Sequence, residues 1–154
     1  MATPRAEAGL NWADALRLPA LALALVACQL GVWTFGFERV RRVLLAQRAG
    51  VRAAGASCGP VAAGGDDLRT ARWCARRVNG VARRLRLPAN CVARSLVLAG
   101  WLRRRGVGAE VWFGVRRVAP AAMSAHAWVQ VGTDVVNDAP DIDRRYAPFP
   151  RAVG

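Results

Sequence analysis

No lysine occurs among the 154 residues. All 23 basic side chains are arginine, set against only 10 Asp plus Glu, and there is one histidine and one tyrosine. Without lysine, the glycine pair Gly64-Gly65 cannot open a phosphate-binding loop, which needs a Lys followed by Ser or Thr, so no nucleotide site is expected. The four cysteines, Cys28, Cys58, Cys74 and Cys91, show no paired zinc-ligand spacing, and no metal or other cofactor is expected. No cleavable secretory signal is evident, and the chain is larger and more apolar than a disulfide-dependent mini-domain. Reduced thiols in the cytoplasm are therefore the expectation. No nucleic-acid motif accompanies the six tryptophans, so specific binding of nucleic acid is not expected either.

What is present is a strongly basic chain, with formal net charge +13 and 54% hydrophobic residues. G+C-rich coding favours Arg, Ala, Gly and Val over Lys, so part of the bias describes codon supply. The field still concentrates acidic partners around the molecule. The length fits one structural unit, divided into an apolar N-terminal region and linker over 1–65 and a core over 66–154.

Residues 18–37, LPALALALVACQLGVWTFGF, carry no charge and are followed by Arg39, Arg41 and Arg42. The run is long enough to cross a bilayer as a helix. Pro19, Gln29, Gly31, Thr34 and Gly36 weaken that signal, so a span, a membrane-surface helix and a buried helix all stay open. Glycines then punctuate the stretch from Val40 to Gly65, which reads as a linker ending in a loop. Asp66 and Asp67 open a helix with Leu68, Ala71, Ala75, Val78 and Leu85 on one face. Its other face carries Arg69, Arg72, Arg76, Arg83 and Arg84, either a solvated face or a site for an acidic partner. A largely apolar helix follows from Cys91 to Arg105, with Asn90 as its cap. Beyond Gly108 come the strands AEVWFGV, SAHAWVQV and DVVND, the last two joined at Gly132-Thr133. The tail from Ala139 reads as irregular, with Tyr146 and Phe149 available to tack it onto the sheet. The order gives an α+β fold.

Cys91 falls at a helix start, where the positive end of the helix dipole favours a thiolate. His126 is the only general base available, and Asp138, at the end of the adjoining strand, can fix its tautomer. Singly, these residues have structural readings: a small buried thiol, a satisfied strand histidine, a turn former. In the order Cys, His, Asp they have the layout of papain-like and transglutaminase-like enzymes, with the nucleophile at the N-terminus of a central helix packed on an antiparallel sheet. The Cys91 backbone N–H is a natural oxyanion donor. Asn90 is open between capping and that role, and Trp128 between shielding His126, lining the cleft and packing in the core. Asp141 reads as a turn residue.

The segments NCVARSLVLAGWLRRRGVGAEVWFGVRR and SAHAWVQVGTDVVNDAPDIDRRYAPF, with C-x-x-R-S-L, L-R-R-R-G, G-V-R-R, A-H-A-W and V-N-D-x-P-D, resemble the stand-alone leader peptidase of lasso-peptide biosynthesis, a transglutaminase-like cysteine protease. The resemblance runs from about Asp66 to Phe149, and before it only the hydrophobic character is shared. It implies Cys91, His126 and Asp138 as the triad, a precursor leader peptide as substrate, a separate leader-recognition protein as partner and a cyclase downstream. Arg69, Arg72 and Arg76 are the candidate partner-binding residues, and residues 18–37 a candidate membrane contact. Two rival readings stay open: acyl transfer to an amine through the same triad and thioester, and a non-catalytic membrane-associated adaptor whose triad is vestigial and whose hydrophobic segment docks it to a cyclase or exporter.

Overall fold

A computed structural model describes residues 17–45, 64–86, 91–119 and 122–150. The order is α1 (Arg17–Phe35), α2 (Phe37–Leu45), α3 (Gly65–Arg84), α4 (Cys91–Arg104), β1 (Glu110–Ala119), β2 (Ala122–Val131), β3 (Asp134–Val135), α5 (Ile142–Arg145) and β4 (Ala147–Pro148). The four strands form one antiparallel sheet in the order β3-β2-β1-β4.

Helix α4 is the centre of the molecule because it has almost no polar face. Ala93, Leu96, Val97, Leu98, Ala99 and Leu102 are buried, and the helix touches α1, α2 and α3 on one side and β1 and β2 on the other. Among the described residues, Ser95 is the one polar side chain fully buried. Helix α3 presents Ala71, Cys74, Ala75 and Val78 to this core and Arg69, Arg72, Arg76, Arg83 and Arg84 to solvent. Acidic residues in its first turn and arginines in its last suit the helix dipole.

The structure departs from the pattern-based expectations at several places. The apolar run is not one helix: Gly36, at φ 80°, ends α1, and α2 turns back along it. The expected linker from Val40 accordingly begins as helix, because Phe37, Val40 and Leu44 pack on the core while Arg39 and Arg42 face outward. Leu85 is the C-cap of α3 and is exposed, so the apolar stripe ends at Ala82. The tail is ordered, with α5 and then β4 pairing with Gly114 and Val115, held further by Phe149 N–H donating to the Phe113 carbonyl at 2.8 Å.

The last strand is shorter than DVVND suggests. After Val136 N–H bonds the Val129 carbonyl, the Val129 N–H is taken by the Asn137 side-chain Oδ1 at 2.8 Å instead of by a backbone carbonyl. A side chain thus completes the ladder, and the backbone is freed to turn at Asn137 and Asp138.

Gly114 on β1 lies opposite His126 on β2. A Cβ there would meet two atoms of the Trp128 ring at 2.9 and 3.0 Å and the Ala147 carbonyl at 3.0 Å, and that ring is fully buried. Gly114→Ala is therefore expected to destabilise the fold by about 1–3 kcal/mol, the usual scale of overpacking, read as a lower urea midpoint with an unchanged slope.

Candidate active site

Cys91 is the first residue of α4, half-buried, with its thiol directed to the adjacent strand. Burial opposes its ionisation, but a hydrogen bond with His126, backbone hydrogen bonds with Ala127 and Val92 and the imidazole charge outweigh burial, leaving the thiol below its ordinary value. The other described cysteines go the opposite way. Burial pushes Cys28 up to about 11, and burial also raises Cys74 despite the arginines beside it. Among the described thiols, Cys91 alone is shifted toward the thiolate.

His126 sits in β2, and its Nε2 is 2.7 Å from Asp138 Oδ2. With Nε2 engaged by the carboxylate, Nδ1 is the ring nitrogen left for the Cys91 thiol. The hydrogen bond with Cys91 raises the His126 pKa; burial opposes this, while the bond to Asp138 and the carboxylate charge add to it. The side chains of His126 and Asp138 are 18% and 24% exposed, so the pair is shielded yet open to a bound chain. Asp138 Oδ1 accepts the Ala139 N–H at 2.9 Å, so both carboxylate oxygens are fixed.

A buried polar network sets these positions. The Ser95 hydroxyl, one helical turn below Cys91, donates to the Ala127 carbonyl at 3.1 Å, next to His126. Asn137 Nδ2 donates to the same hydroxyl at 3.2 Å, and Asn79 Nδ2 on α3 donates to the Asn137 carbonyl at 3.0 Å. Arg94 in turn donates to Asn79 Oδ1 at 3.5 Å. Helix α4, strand β2 and the Asn137-Asp138 turn are thereby joined through side chains adjacent to all three candidate residues.

Tyr146 stacks on the His126 ring, with centroids 5.0 Å apart and planes at 30°, and the Arg116 guanidinium lies 5.0 Å from the same tyrosine ring. The sequence patterns give Ser95, Asn79 and Asn137 no role at the site, and give Tyr146 only that of tacking the tail onto the sheet. Ser95 had a usable signal, since it lies four residues after Cys91 and so on the same helix face. Asn137 was flagged only as half of the N-D pair. Nothing local marks Tyr146, whose contact with His126 comes through the return of the tail.

Other sequence candidates fall elsewhere. Trp128 is fully buried and packs with Ile142 and Tyr146, so it does not line an open cleft surface. Asn90 lies outside the described residues. Arg69 is paired with Asp66 on the surface of α3, Arg72 reaches Asp134 on β3 at 3.2 Å, and Arg76 is exposed on the same face. Asp141 is exposed at the start of α5, in a turn.

No curated protein and no solved structure gave a match to the chain. The family model for the transglutaminase-like superfamily matches residues 22–151, a span that begins inside α1 and takes in every element of the sheet. An α+β architecture with an antiparallel sheet, and a thiol, imidazole and carboxylate joined in series, accord with that match. This chain belongs to the transglutaminase-like superfamily, whose fold serves cysteine peptidase and acyl-transfer chemistry.

Proposed function

We propose that the protein is a cysteine peptidase that removes the leader from a lasso-peptide precursor, with Cys91 as nucleophile, His126 as acid and base, and Asp138 as the group that orients His126. The observation that carries the catalytic part is the series of contacts from the Cys91 thiol to the imidazole and from Nε2 to Asp138 at 2.7 Å. The substrate assignment rests on the sequence motifs. Of these, C-x-x-R-S-L and V-N-D-x-P-D contain, besides two triad members, the residues Arg94, Ser95 and Asn137 of the buried network.

In this mechanism the Cys91 thiolate adds to the scissile carbonyl, and the developing oxyanion is met by the Cys91 backbone N–H at the start of α4. The tetrahedral adduct collapses as the His126 imidazolium gives its proton to the leaving amine, which becomes the N-terminus of the core peptide. The leader is left as a thioester on Cys91. His126 then takes a proton from water, the hydroxide equivalent displaces the thiolate, and the leader departs with a free carboxylate. Asp138 keeps Nε2 engaged throughout, so Nδ1 handles each proton. A separate leader-recognition protein delivers the precursor, the exposed arginines of α3 supply an approach for an acidic partner surface, and a cyclase takes the released core in the cytoplasm. Acyl transfer to an amine would use the same thioester, and product mass separates it from hydrolysis.

The thiol is lowered and the imidazole raised, and as partners in one hydrogen bond they titrate as a coupled pair. The acid limb of a rate profile is expected below 9.0 and the alkaline limb above 6.5, the two ordinary values. Site-resolved alkylation of Cys91 by iodoacetamide should show its inflection below 9.0, and His126→Ala should move the inflection upward, because burial then acts with less opposition. An inflection unchanged by His126→Ala would remove the imidazole from the nucleophile's activation.

Mass spectrometry of a lasso precursor incubated with the protein and its leader-binding partner is expected to show cleavage at one bond, with water added and no adduct. Cys91→Ala should abolish it, and His126→Ala should slow it roughly 10²–10⁴-fold. An amine adduct on the leader would favour acyl transfer, while no product from folded, partner-bound protein would favour the adaptor. Arg72→Glu with Arg76→Glu is expected to weaken partner binding without altering Cys91 alkylation, measured by calorimetry and by labelling. Unchanged binding would make the α3 face merely solvated.

A further inference from the structure

Helix α1 packs on the core through Leu25 and Cys28, yet its opposite face is also apolar. Ala20, Leu23, Ala24, Ala27 and Leu30 are exposed at helical spacing, a stripe continued by Thr34 and extending about 21 Å along the axis at the helical rise. Leu23 is 71% exposed, and at the C-terminal end of the helix Trp33 and Phe35 are 84% and 66% exposed. A helix face turned to water is ordinarily polar, and a continuous apolar patch of this kind marks a surface that is covered in use.

Two features identify the cover. The one polar side chain on the stripe, Thr34, donates its hydroxyl to the Leu30 carbonyl at 2.8 Å, so the stripe presents no side-chain hydrogen-bonding group that hydrocarbon would leave unsatisfied. Next to the exposed aromatic end, α2 carries Arg39, Arg41 and Arg42 against Glu38 alone, with Arg39, Arg42 and Val43 facing outward. Apolar stripe, terminal tryptophan and adjoining arginines together form the chemistry of an interfacial helix on an anionic lipid surface. Helix α1 is also long and apolar enough to cross a membrane. Crossing, however, would strip the fully buried Leu25 from the core and separate Gly31 from Val40, whose side chain lies close against it.

We propose that the protein docks on anionic membranes through the outer faces of α1 and α2, with α1 lying in the plane of the interface and the core intact above it. This surface is independent of the peptidase reading and stands or falls without it.

The test is flotation of the full chain with vesicles of phosphatidylcholine alone and of an equal mixture with phosphatidylglycerol. Co-flotation is expected with the mixed vesicles, reversed by high salt or alkaline carbonate. Leu23→Gln with Leu30→Gln should abolish it, and Arg39→Gln with Arg42→Gln should weaken it roughly fivefold per arginine. Circular dichroism and Cys91 alkylation should be unchanged in both pairs, which separates lost docking from lost folding. Three results would overturn the proposal: no co-flotation with either vesicle, retention through carbonate until detergent is added, or a solution dimer that Leu23→Gln with Leu30→Gln dissociates. The second would make α1 a span, and the third would make a second copy the cover.

Discussion

The fully buried hydroxyl of Ser95 is the contact on which the geometry of the site depends. A helix lying on a sheet can slide or rotate with little loss of apolar contact, because hydrophobic packing is not directional. The bond from Ser95 to the Ala127 carbonyl removes that freedom. It sets the phase of α4 so that Cys91, one turn earlier, faces the strand at His126. Asn137, bonding both Ser95 and the Val129 N–H, brings the third element to the same point. A buried polar group in such a position costs stability unless it is fully satisfied, and here its cost is offset by partners on two other elements.

The basic composition divides into structural and accessible parts. Arg103 donates to the Ala109 carbonyl through two nitrogens, at 3.0 and 2.9 Å, and to the Leu45 carbonyl at 3.4 Å, tying the ends of α4 and α2 to the start of β1. Arg105 lies over the rings of Trp73 and Trp101 and donates to the Cys74 sulfur, while Arg77 lies over Trp73. A planar fork with several donors can do this where a lysine ammonium cannot. Codon supply accounts for a preference for arginine, and these contacts are where the preference has structural consequences. Net charge alone therefore overstates the surface available to an acidic partner.

Much of the fold around the candidate site was legible because its signals are local. Helix α4 starts at Cys91 as expected and ends one residue short of the expected Arg105, and the two-residue turn at Gly132-Thr133 pairs Val131 with Asp134. The order Cys, His, Asp was enough to bring His126 and Asp138 to one place. What the sequence hid depends on long-range packing or on side chains replacing backbone. The α1 to α2 turn rests on one glycine with positive φ inside an apolar run, where periodicity carries no boundary. The shortness of β3 depends on the Asn137 amide standing in for a carbonyl. Tyr146 reaches His126 only because Ala147 and Pro148 pair with β1. For Arg72, a face pattern shows exposure but not that Asp134 lies within 3.2 Å.

The three described thiols show that position, not residue type, decides which way a thiol's ionisation is shifted. Cys28 and Cys74 lie in helix interiors, where N–H groups are already committed to the helix; burial alone raises Cys28, and at Cys74 it outweighs Arg105 and Arg77. Cys91 occupies the one part of a helix where N–H groups have no carbonyl partner four residues back. Its sulfur also lies beside an imidazole whose far nitrogen is held by a carboxylate. Burial still opposes its ionisation, and that opposition has a use: a thiolate kept partly from water is less solvated and its attraction to the imidazolium is less screened. The same desolvation that raises the other two thiols would strengthen the proposed ion pair at Cys91, provided Ser95 and Asn137 hold its partners in place.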